Sequence, residues 1–472
     1  MKKKIIITSI ILVLLIIGFI LLIMNSKTSK KDIKNTTNSK VKEVTYNNDD
    51  YNYDFSNYEV IDVNLDEIKD NYEITKTAVY HFTGKLKGYI KVESDENIKI
   101  ILDNVEITNE SGPAIYVSNA KNLYMELIGD NTLTDSNNYS FQEGINATIY
   151  SKDDLIIFGD GTLNINANYN DAIASSDDLI IKSGTYKINA KDDGIRGKDS
   201  VIILDGNFEI NTNGDGIKTT NEKDSDKGNI LIKNGTFNIT SNKDAIDSIN
   251  SIEITNGNFN ITTDNITTNS SGFSNKNESS KKGIKAKNNI VIKDITLESN
   301  TKDDTIHSNK DITIEKGNFN ITSSDDGIHA DGMIEINDGV INITASEGIE
   351  ATYIKINNGS ININAKDDGI NAGAKSNEYS VGIEINGGDI KINMGQGDTD
   401  AIDSNGNLYI NGGTIDITSS SPFDYDREAK YTNGTIIVNG TTTNEITNQM
   451  MGGGMPHGNM QNGNPGGDFR RR

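Results

Sequence analysis

One short phrase recurs along most of the chain. It reads DDGIRG at Asp192–Gly197, GDGIKT at Gly214–Thr219, KDAIDS at Lys243–Ser248 and DDTIHS at Asp303–Ser308. It returns as DDGIHA at Asp325–Ala330, SEGIEA at Ser346–Ala351, DDGINA at Asp367–Ala372 and TDAIDS at Thr399–Ser404. Each copy is followed by a glycine-led strand of alternating apolar residues, such as GTYKINA from Gly184 or GNFNITS from Gly317. The leading glycines stand 23 residues apart from Gly161 to Gly184, 22 from Gly184 to Gly206, 22 from Gly317 to Gly339 and 20 from Gly339 to Gly359. Such a period describes stacked units, none of which can bury its apolar face alone.

Each repeat divides into three strands: the Asp-Gly-Ile phrase, a run such as DLIIKSG from Asp178, and the glycine-led strand. Three strands and three turns in one period describe a coil of a parallel β-helix, stacked about 4.8 Å from the next. The expectation is an all-β solenoid of about a dozen regular coils and two or three N-terminal ones, roughly 65 Å long at that spacing. The rule for parallel connections makes it right-handed. Only four prolines, with abundant Ile, Asn, Thr, Gly and Asp, agree with short strands and tight turns. Inward, Leu163, Tyr186, Phe208, Phe237, Phe259, Phe319 and Ile341 share one position of the third strand, and Phe237 should stack on Phe259. Outward, Asn164, Asn238, Asn260, Asn320 and Asn342 form one ladder and Thr240, Thr262, Thr322 and Thr344 another. The insertions Thr219–Gly228, Thr263–Lys282 and Gly373–Ser380 read as surface loops.

The ends differ in character. Residues 1–25 carry three lysines and then an apolar run, Ile5–Met24, long enough to cross a bilayer. An uncleaved membrane anchor with the remainder outside is the first reading, and a cleaved signal peptide the second. Residues 26–50 are a polar linker, 51–440 the β-helix with a short helical turn within Glu59–Asp70, and 441–472 a disordered Gly/Met/Asn-rich tail. A net charge of −23 argues against a nucleic-acid partner. With no cysteine there is no disulfide or thiolate site, and with no tryptophan the largest stacking platform for sugars is missing.

The segments ITKTAVYHFTGKLKGYIKVES (Ile74–Ser94) and KIILDNVEITNESGPAIYVSNAKN (Lys99–Asn122), with the DDGI repeats and the Gly/Met-rich tail, resemble a bacterial carbohydrate-binding domain family. The resemblance spans roughly Tyr51 to Gly440. It implies a right-handed parallel β-helix similar to pectate lyases, association with calcium, and binding of cellulose or acidic plant polysaccharides. It does not imply lyase chemistry.

Chemistry concentrates in the repeated phrase. With Ile inward, the first aspartates (Asp192, Asp303, Asp325 and Asp367) form an outward column. The second-position residues Asp193, Asp215, Asp244, Asp304, Asp326, Asp368 and Asp400 line the adjoining turn. Stacked carboxylates repel unless a cation lies between them, and calcium, with six to eight hard oxygen ligands, would suit these eleven residues. Good Asp-Gly turn chemistry is the plainer account. The residue after Ile forms a polar outward column that includes Arg196, Lys218, Lys285, His307, His329, Glu350 and Asn371. Arg196, Lys218, Lys285, His307, His329 and Asn371 are the residues expected to contact a polysaccharide. Arg196 and Lys218, one coil apart, suit uronate carboxylates. His307, His329 and Glu350 have the composition of a transition-metal site.

The leading expectation is therefore a monomeric, non-catalytic protein on the outer face of a bacterial membrane, binding an acidic or cellulosic polysaccharide with calcium. It would be secreted if the leader is cut. One alternative is a lyase of the pectate type, in which Arg196, Lys218 or Lys285 removes a proton that calcium acidifies. Another is a structural adhesin or envelope protein.

Overall fold

The computed structural model describes residues 44, 51–264, 279–395 and 399–448. These residues form an all-β parallel solenoid of about 16 turns. The only helix with a defined span among them is the single 3-10 turn Leu65–Glu67, capped by the Asn64 side chain on the Asp66 amide. Paired strands run parallel throughout, except that Thr441–Thr443 turns back antiparallel on Thr435–Val438. That final hairpin, and a bond from Asn448 Nδ2 to Tyr425 O at 2.8 Å, place the first residues of the expected tail against the last coil. The apolar run Ile5–Met24 and the tail from 449 lie outside the described residues.

The register follows the sequence repeat. Leu163, Tyr186, Phe208, Phe237 and Phe259 pair in turn, then Leu297, Phe319 and Ile341. The rings of Tyr186, Phe208, Phe237 and Phe259 stack at 4.8, 4.7 and 4.7 Å, nearly parallel. Coil spacing and ring-stacking distance therefore coincide, and each aromatic lies flat on its neighbour in the core. Beneath each ring lies a glycine: a Cβ on Gly235, whose φ is 137°, would meet Phe237 Cε2 at 2.8 Å and Gly206 O at 3.0 Å. Outside, Asn260 donates to Asn238 at 3.2 Å, Asn342 to Asn320 at 2.9 Å and Asn362 to Asn342 at 3.0 Å.

One face departs from the rule that solenoid strands turn polar residues outward. Tyr124, Ile156, Ile180, Ile202 and Leu231 share an outward column in the second strand, yet all are buried. The segment around Tyr51–Phe55 packs over the column together with Val44. Tyr51 Oη donates to Asp178 at 2.7 Å, Lys182 Nζ donates to Tyr51 O at 2.8 Å, and the Val44 amide donates to Glu253 Oε2 at 3.1 Å. Residue 44 of the expected linker and 51–55 of the expected first coil thus form a strap along the rod.

Candidate functional site

The repeated phrase builds two adjacent columns on one face. The position after Ile reads Arg196, Lys218, Asp247, Lys285, His307, His329, Glu350, Asn371, Asp403 and Asp424, paired coil to coil. Beside it, the second-aspartate column is buried rather than displayed: Asp193, Asp215, Asp244, Asp304 and Asp326 are each at most 6% exposed.

In Asp171, Asp215, Asp244 and Asp304 both carboxylate oxygens are used. One oxygen of Asp171, Asp193 and Asp215 accepts the amide hydrogen of Asp193, Asp215 and Asp244 in the next coil, at 3.2, 2.9 and 2.9 Å. The Lys282 amide donates in the same way to Asp244 at 2.7 Å, Asp326 to Asp304 at 3.2 Å and Asp400 to Asp368 at 3.2 Å. The other oxygen takes a basic side chain. Arg196 Nε donates to Asp171 Oδ2 at 2.7 Å, Lys218 Nζ to Asp215, and Lys285 Nζ to Asp244 Oδ2 at 2.8 Å. His307 Nδ1 lies 2.8 Å from Asp304 Oδ2 and His329 Nδ1 2.6 Å from Asp326 Oδ2.

Arg196, Lys218 and Lys285, expected to contact a polysaccharide, are thus each engaged by an aspartate of the chain itself. Each side chain is long enough to lie back along the stack into the carboxylate row, where desolvated aspartates hold it. Burial opposes the charge on Lys218 and Lys285, but Asp215 and Asp193, and Asp244 and Asp247, outweigh it and raise both ammonium pKa values. Lys282 does the same from within the aspartate column, bonded to Asp303 at 2.6 Å and Asp304 at 2.7 Å. Of the first-position aspartates, Asp192 faces Lys243 at 3.2 Å, while Asp325 and Asp367 are exposed.

The two histidine rings lie with centres 4.8 Å apart, tilted by 31°. His329 Nδ1 also lies 3.0 Å from Glu350 Oε2. Burial disfavours its charge, but Asp326 and Glu350 outweigh burial and raise its pKa to about 10, which favours the imidazolium. Glu350 also takes Lys375 at 2.8 Å, brought over this face by the 373–380 insertion. Asp326, with the single imidazolium, is pushed up to about 7 by burial.

The C-terminal coils differ. Asp367, Asp368, Asp403 and Asp424 have no ion pair with a cation among the described residues. Burial, then the repulsion of Glu347 and Asp403, pushes Asp368 up to about 7. Burial and the neighbouring Asp424 and Asp400 do the same to Asp403. Asn371 Oδ1 and Asp424 Oδ1 are buried atoms without a hydrogen-bond partner. Every donor here is a hard oxygen, and the set fits calcium. In the Arg196–Lys285 coils the protein's own cations already hold the carboxylates, so the fit there is poor.

Sequence reasoning missed Asp171 and Lys282 as members of the charged lattice. Asp171 was within reach, since NDAIAS at Asn170–Ser175 is the same phrase with Asn first. A second cluster, Asp154, Asp177 and Asp178, opens the second strand, and its signal is the repeated DDLII at Asp153–Ile157 and Asp177–Ile181.

Residues 69–327 and 324–451 match the sequence model of a family described as carbohydrate-binding domain-containing protein. A protein of that description from Acetivibrio thermocellus is 36% identical over 156 residues, which cover 31% of this chain and 52% of that protein. The chain thus spans about half the length of that relative. The polysaccharide lyase-like protein from C. thermocellum, solved as a gadolinium derivative, is 35% identical, with a TM-score of 0.42 over 43% of this chain and 90% of that one. The family matches together run through nearly all the described solenoid, and the chain belongs to the family of carbohydrate-binding domain-containing proteins.

Proposed function

We propose that this protein is a non-catalytic, calcium-dependent polysaccharide-binding protein built as a right-handed parallel β-helix. It acts as a monomer on the outer face of the cell membrane, held by the apolar run Ile5–Met24, or free if that run is cut. The observation that carries the reading is the contrast along one face. Asp171, Asp215, Asp244, Asp304 and Asp326 each pair with one of the chain's own cations, whereas Asp368, Asp403 and Asp424 have no ion pair with a cation among the described residues.

Asp367, Asp368, Asp400, Asp403 and Asp424, with Asn371 Oδ1, would hold calcium. Bound there, the ion supplies positive charge to the carboxylates of an acidic glycan that a chain of net charge −23 would otherwise repel. The lyase alternative is weaker because its base must be neutral. Lys218 and Lys285 are both held protonated by their aspartates.

Calorimetric titration of calcium into the full chain, alone and with polygalacturonate, tests the reading. Calcium should strengthen polygalacturonate binding in the parent and not in an Asp368→Asn/Asp403→Asn double variant, with no unsaturated, ultraviolet-absorbing product. Affinity that survives EDTA unchanged would sink the calcium bridge. Appearance of product would move the protein to the lyases.

A further inference from the structure

Far from the aspartate columns, the strap encloses a cavity of about 600 Å³ against the outer face of the second strands, within the usual range for small-ligand sites. Aromatic rings make up much of its wall: Tyr53, Phe55 and Tyr58 from the strap, Tyr124 and Phe158 from the solenoid. They form a connected set, with centroids 4.8 Å apart for Tyr53–Phe55, 5.3 Å for Phe55–Tyr58 and 5.2 Å for Phe55–Tyr124. Five large apolar side chains of the described residues are exposed, and two of them, Tyr53 at 42% and Val60 at 57%, line this one cavity. Apolar surface concentrated in a concavity is how binding sites differ from ordinary surface.

The polar groups of the cavity decide what it can take. Lys99 is paired with Glu126 at 2.7 Å. Lys182 is spent on Tyr51 O at 2.8 Å and Asn52 Oδ1 at 2.6 Å, and burial lowers its pKa. Asp54 adds an exposed negative charge. No cation is therefore turned toward a carboxylated ligand, while hydroxyl-bonding groups are present in Asn52, Ser56 and the hydrogen-bonded hydroxyls of Tyr53 and Tyr58. A ligand with one apolar C–H face and an edge of hydroxyls fits both features.

We infer that this aromatic cavity is a second glycan site, which takes the ring of a neutral pyranose by stacking on Tyr53 and Tyr58. It needs no metal, so it is independent of the acidic coils and survives failure of the calcium reading.

Calorimetry of the full chain with a neutral β-linked glucose hexamer, in EDTA, tests it. Binding should be present in the parent, fall about tenfold or more in Tyr53→Ala, and stay within about twofold in Tyr53→Phe, which keeps the ring. Tyr53 lies outside the solenoid core, so a thermal melt of Tyr53→Ala should match the parent. Three outcomes would overturn the inference: no binding by the parent in EDTA, equal binding by Tyr53→Ala, or a galacturonate hexamer binding as well as the glucose hexamer with the same dependence on Tyr53. The Asp368→Asn/Asp403→Asn variant should bind the neutral hexamer like the parent, which separates this site from the calcium-dependent one.

Discussion

The side chain of Asp193 accepts the backbone amide hydrogen of Asp215, its counterpart one coil later, at 2.9 Å. Two acidic residues are thus neighbours through a favourable bond, because the second offers its N–H and not its carboxylate. The arrangement satisfies an amide at the turn where the strand ladder is interrupted, much as a side chain caps a helix. It also leaves each carboxylate one oxygen for a cation, which is why Asp215 can hold Lys218 as well.

Replacing Asp215 by Ala should therefore remove two interactions and leave the Lys218 ammonium part-buried without its nearest carboxylate, with Asp193 and Asp247 further off. A loss of about 3 kcal/mol is expected, read as a lower denaturant midpoint. Asp215→Asn, which keeps an acceptor for the Asp244 amide, should lose less.

The acidic coils should depend on pH in the opposite sense to an ordinary salt-bridged protein. Asp368 and Asp403 titrate near pH 7 in the fold against a usual value near 3.8. Their protonated forms are favoured by folding, so stability is greatest below about pH 4, falls as pH rises toward 7, and is flat above. Amide protection in strands Asp400–Ser404 and Asn407–Ile410, measured relative to the intrinsic exchange rate at each pH, should be greater at pH 5 than at pH 8. No difference, or the reverse, would remove the charge repulsion on which the proposed site depends.

His329 gives a fall in the same direction but at higher pH. With its pKa raised from 6.5 to about 10, the stability it confers is full below pH 6.5 and lost as pH climbs through 10. An NMR titration should find the His329 ring still protonated at pH 8. Glu350→Gln should bring its titration downward.

Phe237 lies between Phe208 and Phe259 in a stack spaced at 4.7 Å. Phe237→Ala should cost about 3–5 kcal/mol, with the loss greatest in its own and adjacent coils. Phe237→Leu, matching Leu297 in the same column, should cost markedly less.

The repeat made the coil, its three strands and its inward columns legible, since Ile, Phe and Gly recur at one position whatever surrounds them. Membership of the polar columns was legible too, from Arg196 to Asp403. What the side chains do there was not. Arg196 finds Asp171, 25 residues back, and Lys375 finds Glu350 from an insertion with no repeat at all. Such partners depend on side-chain length and on which coil lacks a cation, and neither has a period. The strap was hidden for a similar reason: Tyr51 is held by Asp178, 127 residues away.

The strap also fixes where Val44 meets the rod. Its column of neighbours runs from Val60 through Tyr124 and Leu231 to Glu253, which meets the Val44 amide about halfway along the solenoid. Tension applied through residue 44 would accordingly reach the side of the rod, across its strands, and not its first coil. Such a load would be shared by coils on both sides of Glu253 before any terminal coil could peel away, so the solenoid is gripped at its waist.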